Sequence, residues 1–294
     1  MQIRLTFFWL LILTGVALLF LSANSILAKV ALVNDFIDAY SFTFYRILSG
    51  AFTLLVLLYY KQKTIILSKN KNWVSAFMLF LYAISFSYAY LNLEAGLGTL
   101  LLFAVVQLSM VIFALFKKET IGIQKSMGIV IAFAGLVYLL FPSEEFELSL
   151  FHSFLMIIAG VAWAFYTILG KSSTNALFNT YDNFVKATLF VILFYIFFVD
   201  NTFVTSKGIL LAFISGSLTS AIGYTIWYIV LPQLQIVTAS IIQLLVPVIA
   251  IFFSVLFLEE KLTFTLIFST LIILSGILIT TTKGKTNKWK SQLN

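Results

Sequence analysis

Apolar runs of about 20 residues, the length that crosses the hydrocarbon core of a bilayer, follow one another along the chain with short polar breaks between them. They stand at 7–28, 39–60, 73–91, 97–116, 121–141, 151–170, 182–199, 208–231, 236–258 and 263–281. This pattern predicts an all-α polytopic membrane protein of ten transmembrane helices. The breaks also repeat. Shifted by 141 positions, Tyr88 to Leu140 lies without a gap on Ile229 to Thr281, with Glu119 on Glu260 and Gly135 on Gly276. Each copy reads as a polar break (Asn92-Leu93-Glu94, Gln233-Leu234-Gln235), a long apolar run, a charged punctuation (Lys117-Lys118-Glu119, Glu259-Glu260-Lys261) and a second apolar run with a late glycine. The front of each half agrees: apolar runs closed by Lys29 and Lys171, then a cation beside an aromatic, Arg46 and Lys186. The chain therefore divides into repeats at 7–141 and 151–281, five helices each, and a basic tail at 282–294. Five is odd, so the second repeat enters the membrane from the opposite face. Inverted repeats of this kind are the architecture of many secondary transporters, with the substrate site near the midplane between the halves.

Composition agrees with a bilayer as the solvent: 62% hydrophobic and only 10% charged residues, with a mean hydropathy of +1.08, lie outside the range of soluble domains. The net charge of +7 is explained by topology. Lys61, Lys63, Lys69, Lys71, Lys117, Lys118, Lys125 and the tail lysines fall on one side, which the positive-inside rule makes cytoplasmic along with both termini. Asp35, Asp38, Glu94, Glu144, Glu145, Glu147, Asp200, Glu259 and Glu260 fall on the other. No nucleic-acid partner is needed to account for the charge. Arg4 and the run after it are read as a retained first helix, because the run is longer than the ~7–15 residues of a signal peptide's apolar region.

The interruptions and punctuation resemble the ten-helix branch of the drug/metabolite transporter superfamily, the EamA-type exporters. Gln243-Leu244-Leu245-Val246-Pro247-Val248 and Leu258-Glu259-Glu260-Lys261-Leu262-Thr263 are similar to that family's Pro-Val and Glu-x-Leu-Thr signatures. The first repeat departs from the pattern, with Val106 opposite Pro247. The resemblance implies a bacterial inner-membrane exporter whose central cavity opens alternately to each side. It names no substrate, since the family moves amino acids, other metabolites and drugs.

Polar side chains at membrane depth cost several kcal/mol without partners, so those in the spans are the candidate cavity residues. Gln107 and Gln243 are candidates for substrate contact or for bonding between helices; Asn24 reads as glue between helices. Trp163 and Tyr166, three apart on one face, are candidates for a cavity wall, with Tyr88 and Tyr224 beside them. Trp227 and Tyr228 read as an interfacial belt. Arg46 either meets an anionic group such as a substrate carboxylate or snorkels to the outer surface, the second being favoured. Lys186 is expected to pair with Asp182 four residues back, and Lys29 and Lys171 to complement helix carboxyl ends.

No carboxylate is expected deep in a span, which argues for a facilitator or exchanger that follows the substrate gradient. The absence of cysteine and the single histidine, His152, give no basis for a disulfide, thiol nucleophile or metal centre; no cofactor is expected, and an enzyme is not. Small residues Gly122, Gly128, Gly135, Ser269 and Gly276 stripe the fifth helix of each repeat, a close-packing surface within the chain or in a homodimer. Pro247, Gly216 and Gly223 are candidate hinges. The expected partners are a small-molecule substrate and the lipid bilayer. The competing reading is a membrane-embedded binding or assembly subunit that moves nothing.

Overall fold

In the computed structural model, residues 6–62, 72–116, 123–140, 149–234, 239 and 242–281 are described. Arg4, Lys63, Lys69, Lys71, the Lys117-Lys118-Glu119 punctuation, Gly122, Glu144, Glu145, Glu147, Gln235 and the tail at 282–294 lie outside them.

Ten apolar helices account for the described spans. They are α1 (Phe7–Val33), α2 (Ala39–Gln62), α3 (Trp73–Ala89), α4 (Ala95–Phe116), α5 (Ile123–Leu140), α6 (Leu150–Gly170) and α7 (Ala176–Phe198), then α8 (Ser206–Gln233), α9 (Leu245–Leu258) and α10 (Phe264–Thr281). Six of them, α1, α2, α4, α6, α7 and α8, contain stretches long and apolar enough to cross a membrane, and the others are shorter apolar helices. Among the described residues, β structure is limited to one bridge, Ile37 to Val204. The chain is a polytopic membrane protein.

Side chains supply the caps that helix starts require. The Asp38 carboxylate accepts from Ser41 N at 2.8 Å, Asn175 Oδ1 from Phe178 N at 3.2 Å, Thr205 Oγ1 from Gly208 N at 3.1 Å and Thr263 Oγ1 from Leu266 N at 3.1 Å. The cap of α4 comes from the other half of the chain: the Glu260 carboxylate accepts from Ala95 N and, at 3.0 Å, from Gly96 N. Glu259, left-handed at φ 54°, turns the chain off the end of α9 and so delivers Glu260 there. This is what the charged punctuation of the second half does: an anion sits on a helix amino end, where the macrodipole favours it.

The packing has a regularity of its own. α1 lies against α8 and α9, and α6 against α3 and α4; α2 lies against α7 and α8, and α7 against α2 and α3; α4 meets α9, and α5 meets α10. Replacing each helix by the one five places on maps this set of pairs onto itself. Two lysines follow the same rule. Lys29 Nζ donates to the carbonyl of Tyr90 just past α3 at 3.3 Å, and Lys171 Nζ to that of Leu234 just past α8 at 2.9 Å.

Several boundaries differ from the expected ones for identifiable reasons. α1 runs on to Val33, so Lys29 lies a turn inside the helix and is 8% exposed. α7 begins at Ala176 rather than 182: its polar first turns, with Asn179 and Asn183, line a cavity instead of lipid. Asp182 is therefore inside the span, 6% exposed and paired with Lys186 at 2.6 Å, which corrects the expectation of no carboxylate there. The ninth run is broken at Gln243 and Leu244. Pro247 lacks an N–H and its ring excludes a helical carbonyl four residues back. The Gln243 carbonyl instead accepts from Val246 N at 3.1 Å.

The small-residue stripes of α5 and α10 face each other. A Cβ on Gly276 would stand 2.4 Å from Ala132 N, and one on Gly135 2.8 Å from Ile272. Ser269 is fully buried in the same region of α10.

Candidate functional site

α8 is not a uniform helix. Between α-helical stretches at Ser206–Ile214 and Gly223–Val230 it widens into a π-helix over Ser215–Ile222, a form that recurs at functional sites. The wider turn brings Ser215, Thr219 and Ser220 to one acceptor, Asn24 Oδ1 on α1, at 2.9, 2.6 and 3.2 Å. Close approach to α2 is possible because position 216 is glycine: a Cβ there would meet the Arg46 carbonyl and Ser49 Oγ at 2.1 Å each. Gly223 likewise faces Phe20, 2.9 Å from where its Cβ would be. Both candidate hinges thus stand at helix crossings.

Arg46 projects into this crossing. Its Nε donates to Ser220 Oγ at 3.0 Å, and its Nη2 to the hydroxyls of Tyr224 at 2.6 Å and Tyr82 at 3.2 Å. Its guanidinium carbon lies 5.4 Å from the centre of the Tyr82 ring and 5.0 Å from that of Phe86. The residue is 1% exposed, so the snorkelling reading is corrected: Arg46 turns inward, where hydroxyls replace the water it would have sought outside. Tyr82 stands on α3 and Tyr224 on α8, and their hydroxyls bond each other at 3.3 Å.

Aromatic rings enclose the cluster. Trp163 lies 4.9 Å from Tyr82, 4.8 Å from Tyr224 and 5.5 Å from Tyr166, centre to centre. Its indole N–H donates to Gln243 Oε1 at 3.0 Å. The break before Pro247 leaves Gln243 at the end of a turn, pointing back to α6. Tyr166 stacks on Tyr228 at 5.1 Å, and the Tyr228 hydroxyl donates to the Tyr166 carbonyl at 2.9 Å. Trp227 and Tyr228 are 0% and 1% exposed; they form no interfacial belt. The apolar length of α8 hid this, because it gives no sign of which aromatics face inward.

Of the residues singled out from sequence, Asn24, Arg46, Trp163, Tyr166, Tyr224 and Gln243 come together. Tyr88 stands apart against Phe194 at 6.3 Å. Gln107 on α4 is 2% exposed, with neither amide atom partnered. Sequence reading did not select Ser215, Thr219 and Ser220; the hydroxyl-rich run Ser215-Gly216-Ser217-Leu218-Thr219-Ser220 in an otherwise apolar helix was the available signal.

A cavity of about 440 Å³ opens beside the cluster, lined by Asn72 and Ser75 from the start of α3, Gly170 and Thr174 around the end of α6, Asn179 and Asn183 on α7, and Tyr228 on α8. Tyr228 lines it, and Tyr166 stacks on Tyr228 and lies 6.3 Å from Tyr224, the partner of Arg46. At the far end of the bundle Lys29, Glu94 and Glu260 gather. Burial raises the Glu94 carboxyl above its ordinary range; nearby Glu260 adds to the rise and Lys29 opposes it. His152 joins Asn92 and Ser149 there.

The arrangement is a buried, donor-rich polar cluster inside an apolar bundle, built by both halves. The EamA-like transporter family matches the chain twice, at residues 8–141 and 150–282. The uncharacterized protein PA1977 of Pseudomonas aeruginosa is 38% identical over 91% of this chain and 92% of its own length. The uncharacterized transporter YoaV of Bacillus subtilis is 25% identical over 80% and 85%, and one of Archaeoglobus fulgidus 25% identical over 92% and 97%. A crystal structure covering 94% of this chain and 98% of its own superposes with a TM-score of 0.68 at 15% identity, a likeness of fold.

Proposed function

We propose, from the premise that this chain belongs to the EamA-like transporter family, that it is a secondary transporter that exports small organic metabolites such as amino acids by alternating access. The observation that carries this reading is the buried cluster of Asn24, Arg46, Tyr82, Trp163 and Tyr224, contributed by helices of both halves. Helix pairings that interchange under a shift of five helices support ten spans in two inverted repeats, 7–141 and 151–281. Such repeats put the site at the midplane between them. The lysine-bearing segments then lie in the cytoplasm with both termini, in a bacterial inner membrane. The vestibule beside Asn72 and Thr174 opens to that same side, where an exporter receives its cargo. Pro247, Gly216 and Gly223 are the proposed points about which α8 and α9 move. With their small-residue stripes facing each other, α5 and α10 leave Val130, Phe133 and Leu271 to lipid or to a second copy.

Among the described spans the one carboxylate, Asp182, is committed to Lys186. The substrate's own gradient therefore drives transport, by facilitation or exchange. Counterflow in proteoliposomes tests the whole reading: liposomes hold a mixed unlabelled amino-acid pool, and entry of each labelled one is followed, with a Trp163→Ala/Gln243→Ala control. Saturable entry lost in the control supports it. The tight packing at Trp163 and Tyr166 also suits a non-transporting membrane subunit, and no exchange of any candidate metabolite would favour that instead. Flux abolished by a protonophore at constant substrate gradient would refute the facilitator mechanism alone.

A further inference from the structure

We propose that Arg46 is the docking point for a carboxylate carried by the transported molecule, an assignment that rests on the transporter reading above. A guanidinium carries five N–H donors in a fixed fork and no acceptor. Three are spent, on Ser220, Tyr82 and Tyr224. Nη1 is buried and without a partner. The Tyr82 and Tyr224 hydroxyls add to the surplus. Each accepts from Arg46, and among the described residues they reach only one another as acceptors of their own protons. Whichever donates across that contact, one phenolic proton has no acceptor. Asn24 turns its Nδ2 to the Tyr224 hydroxyl at 3.5 Å, and three other hydroxyls already surround its Oδ1.

Charge shows the same imbalance. Among the described residues no Asp or Glu forms an ion pair with Arg46; the buried pair is Lys186 with Asp182 on α7. All three acceptors of Arg46 are neutral hydroxyls, and the faces of Tyr82 and Phe86 offset only part of the desolvation of the cation. An ionisable group kept unpaired at membrane depth marks a transport pathway by default. The group that completes this site is negative, brings several lone pairs and brings no proton. A carboxylate has two oxygens that accept about four hydrogen bonds, enough for the three unspent donors. One cation suits a monoanion; a phosphate dianion would leave charge uncompensated, since the Lys186 ammonium is already neutralised. Entry from the vestibule requires Tyr228 and Tyr166, stacked at 5.1 Å, to turn aside. The carboxylate would then displace the bond between the two tyrosine hydroxyls and receive both.

The test is counterflow with the full chain in proteoliposomes. The liposomes are preloaded with the protein amino acids, their carboxamides, short monocarboxylates, phosphate monoesters, nucleosides and polyols. The same pool, isotope-labelled, is outside, and entry is read by mass spectrometry. The expected result is that every exchanging species carries a carboxylate and that the matching carboxamide exchanges at least about tenfold more slowly, the cost of one charge-assisted hydrogen bond. Arg46→Lys should keep the acid-over-amide preference with a raised KM, and Arg46→Gln should lose it. Should Arg46→Gln fail to fold, the wild-type acid-to-amide ratio and Arg46→Lys still decide. Exchange of carboxamides, nucleosides, polyols or phosphate esters as fast as any acid would overturn the docking point and leave the transporter reading standing. No exchange of any species would overturn both.

Discussion

Asn24 is the residue at which the crossing of α1 and α8 can be measured. Asn24→Leu keeps the volume roughly constant but removes the acceptor of Ser215, Thr219 and Ser220 and the donor to Tyr224, 3.5 Å away. Interhelical side-chain hydrogen bonds in membranes average about 0.6 kcal/mol and reach about 1.7, which puts the three hydroxyl bonds together near 2 kcal/mol. The loss is smaller where a hydroxyl has somewhere else to go. The Thr219 hydroxyl can turn its one proton to the Ser215 carbonyl, 2.9 Å away, and a serine can bond the carbonyl four residues back in its own helix. The expected cost is therefore about 1–2 kcal/mol, read as a shift in equilibrium unfolding by denaturing detergent in mixed micelles. A double-mutant cycle with Ser215→Ala should return a coupling of about 0.6 kcal/mol. A total cost below about 0.3 kcal/mol, or zero coupling, would refute the argument that the π-helical widening exists to bring these hydroxyls to Asn24.

Four further substitutions probe the same framework. Gly216→Ala places a methyl 2.1 Å from the Arg46 carbonyl, so α2 and α8 must separate; a loss of roughly 1–3 kcal/mol or more in the same unfolding assay is expected, while Gly223→Ala, at 2.9 Å from Phe20, should cost less. Asp182→Leu leaves the Lys186 ammonium without its carboxylate and should cost about 3 kcal/mol; the double substitution Asp182→Leu/Lys186→Leu should cost less than Asp182→Leu alone, and a simple sum of the two singles would refute the pairing. Glu94 has its folded carboxyl raised by burial first and by Glu260 second, from an ordinary 4.5. Its contribution is fully favourable below that value and is lost as pH rises through the folded value. Glu94→Gln should therefore stabilise the chain at pH 7 and make no difference below pH 4.5, a gap that thermal unfolding at the two pH values reads directly.

How far these features could be read from sequence depended on what each residue has to announce. Helix positions were legible because a bilayer demands long apolar runs, and the pairing of Asp182 with Lys186 because it is local, four residues along one helix. The charge punctuation was legible as a pattern but not as a function: Glu259-Glu260 marks a boundary in the chain, and only in three dimensions does Glu260 reach the amino end of α4. Arg46 was read in the wrong direction. Depth along a helix was the guide, and depth alone cannot tell whether a side chain faces lipid or Tyr224. The start of α7 was misplaced for the opposite reason. Asn179 falls before the expected start at 182, yet it lines a cavity with Asn183 rather than facing hydrocarbon, so polarity there does not mark the end of the helix.

The two halves agree closely in framework and disagree where the charge lies, and the disagreement bears on what the pocket can hold. Tyr82 from the third helix and Tyr224 from the eighth meet hydroxyl to hydroxyl; Lys29 and Lys171 each bind the carbonyl just past those same helices. Arg46 is the eighth residue of α2 and meets Tyr82 and Tyr224, whereas Lys186 is the eleventh residue of α7 and lies 5.5 Å from the centre of the Trp73 ring at the start of α3. Four residues before Lys186 stands Asp182, which neutralises it. Four residues before Arg46 stands Phe42, fully buried and unable to do so. Of these two buried cations, one aspartate cancels one. That leaves one net positive charge beside the paired tyrosines, the amount that one bound monoanion balances.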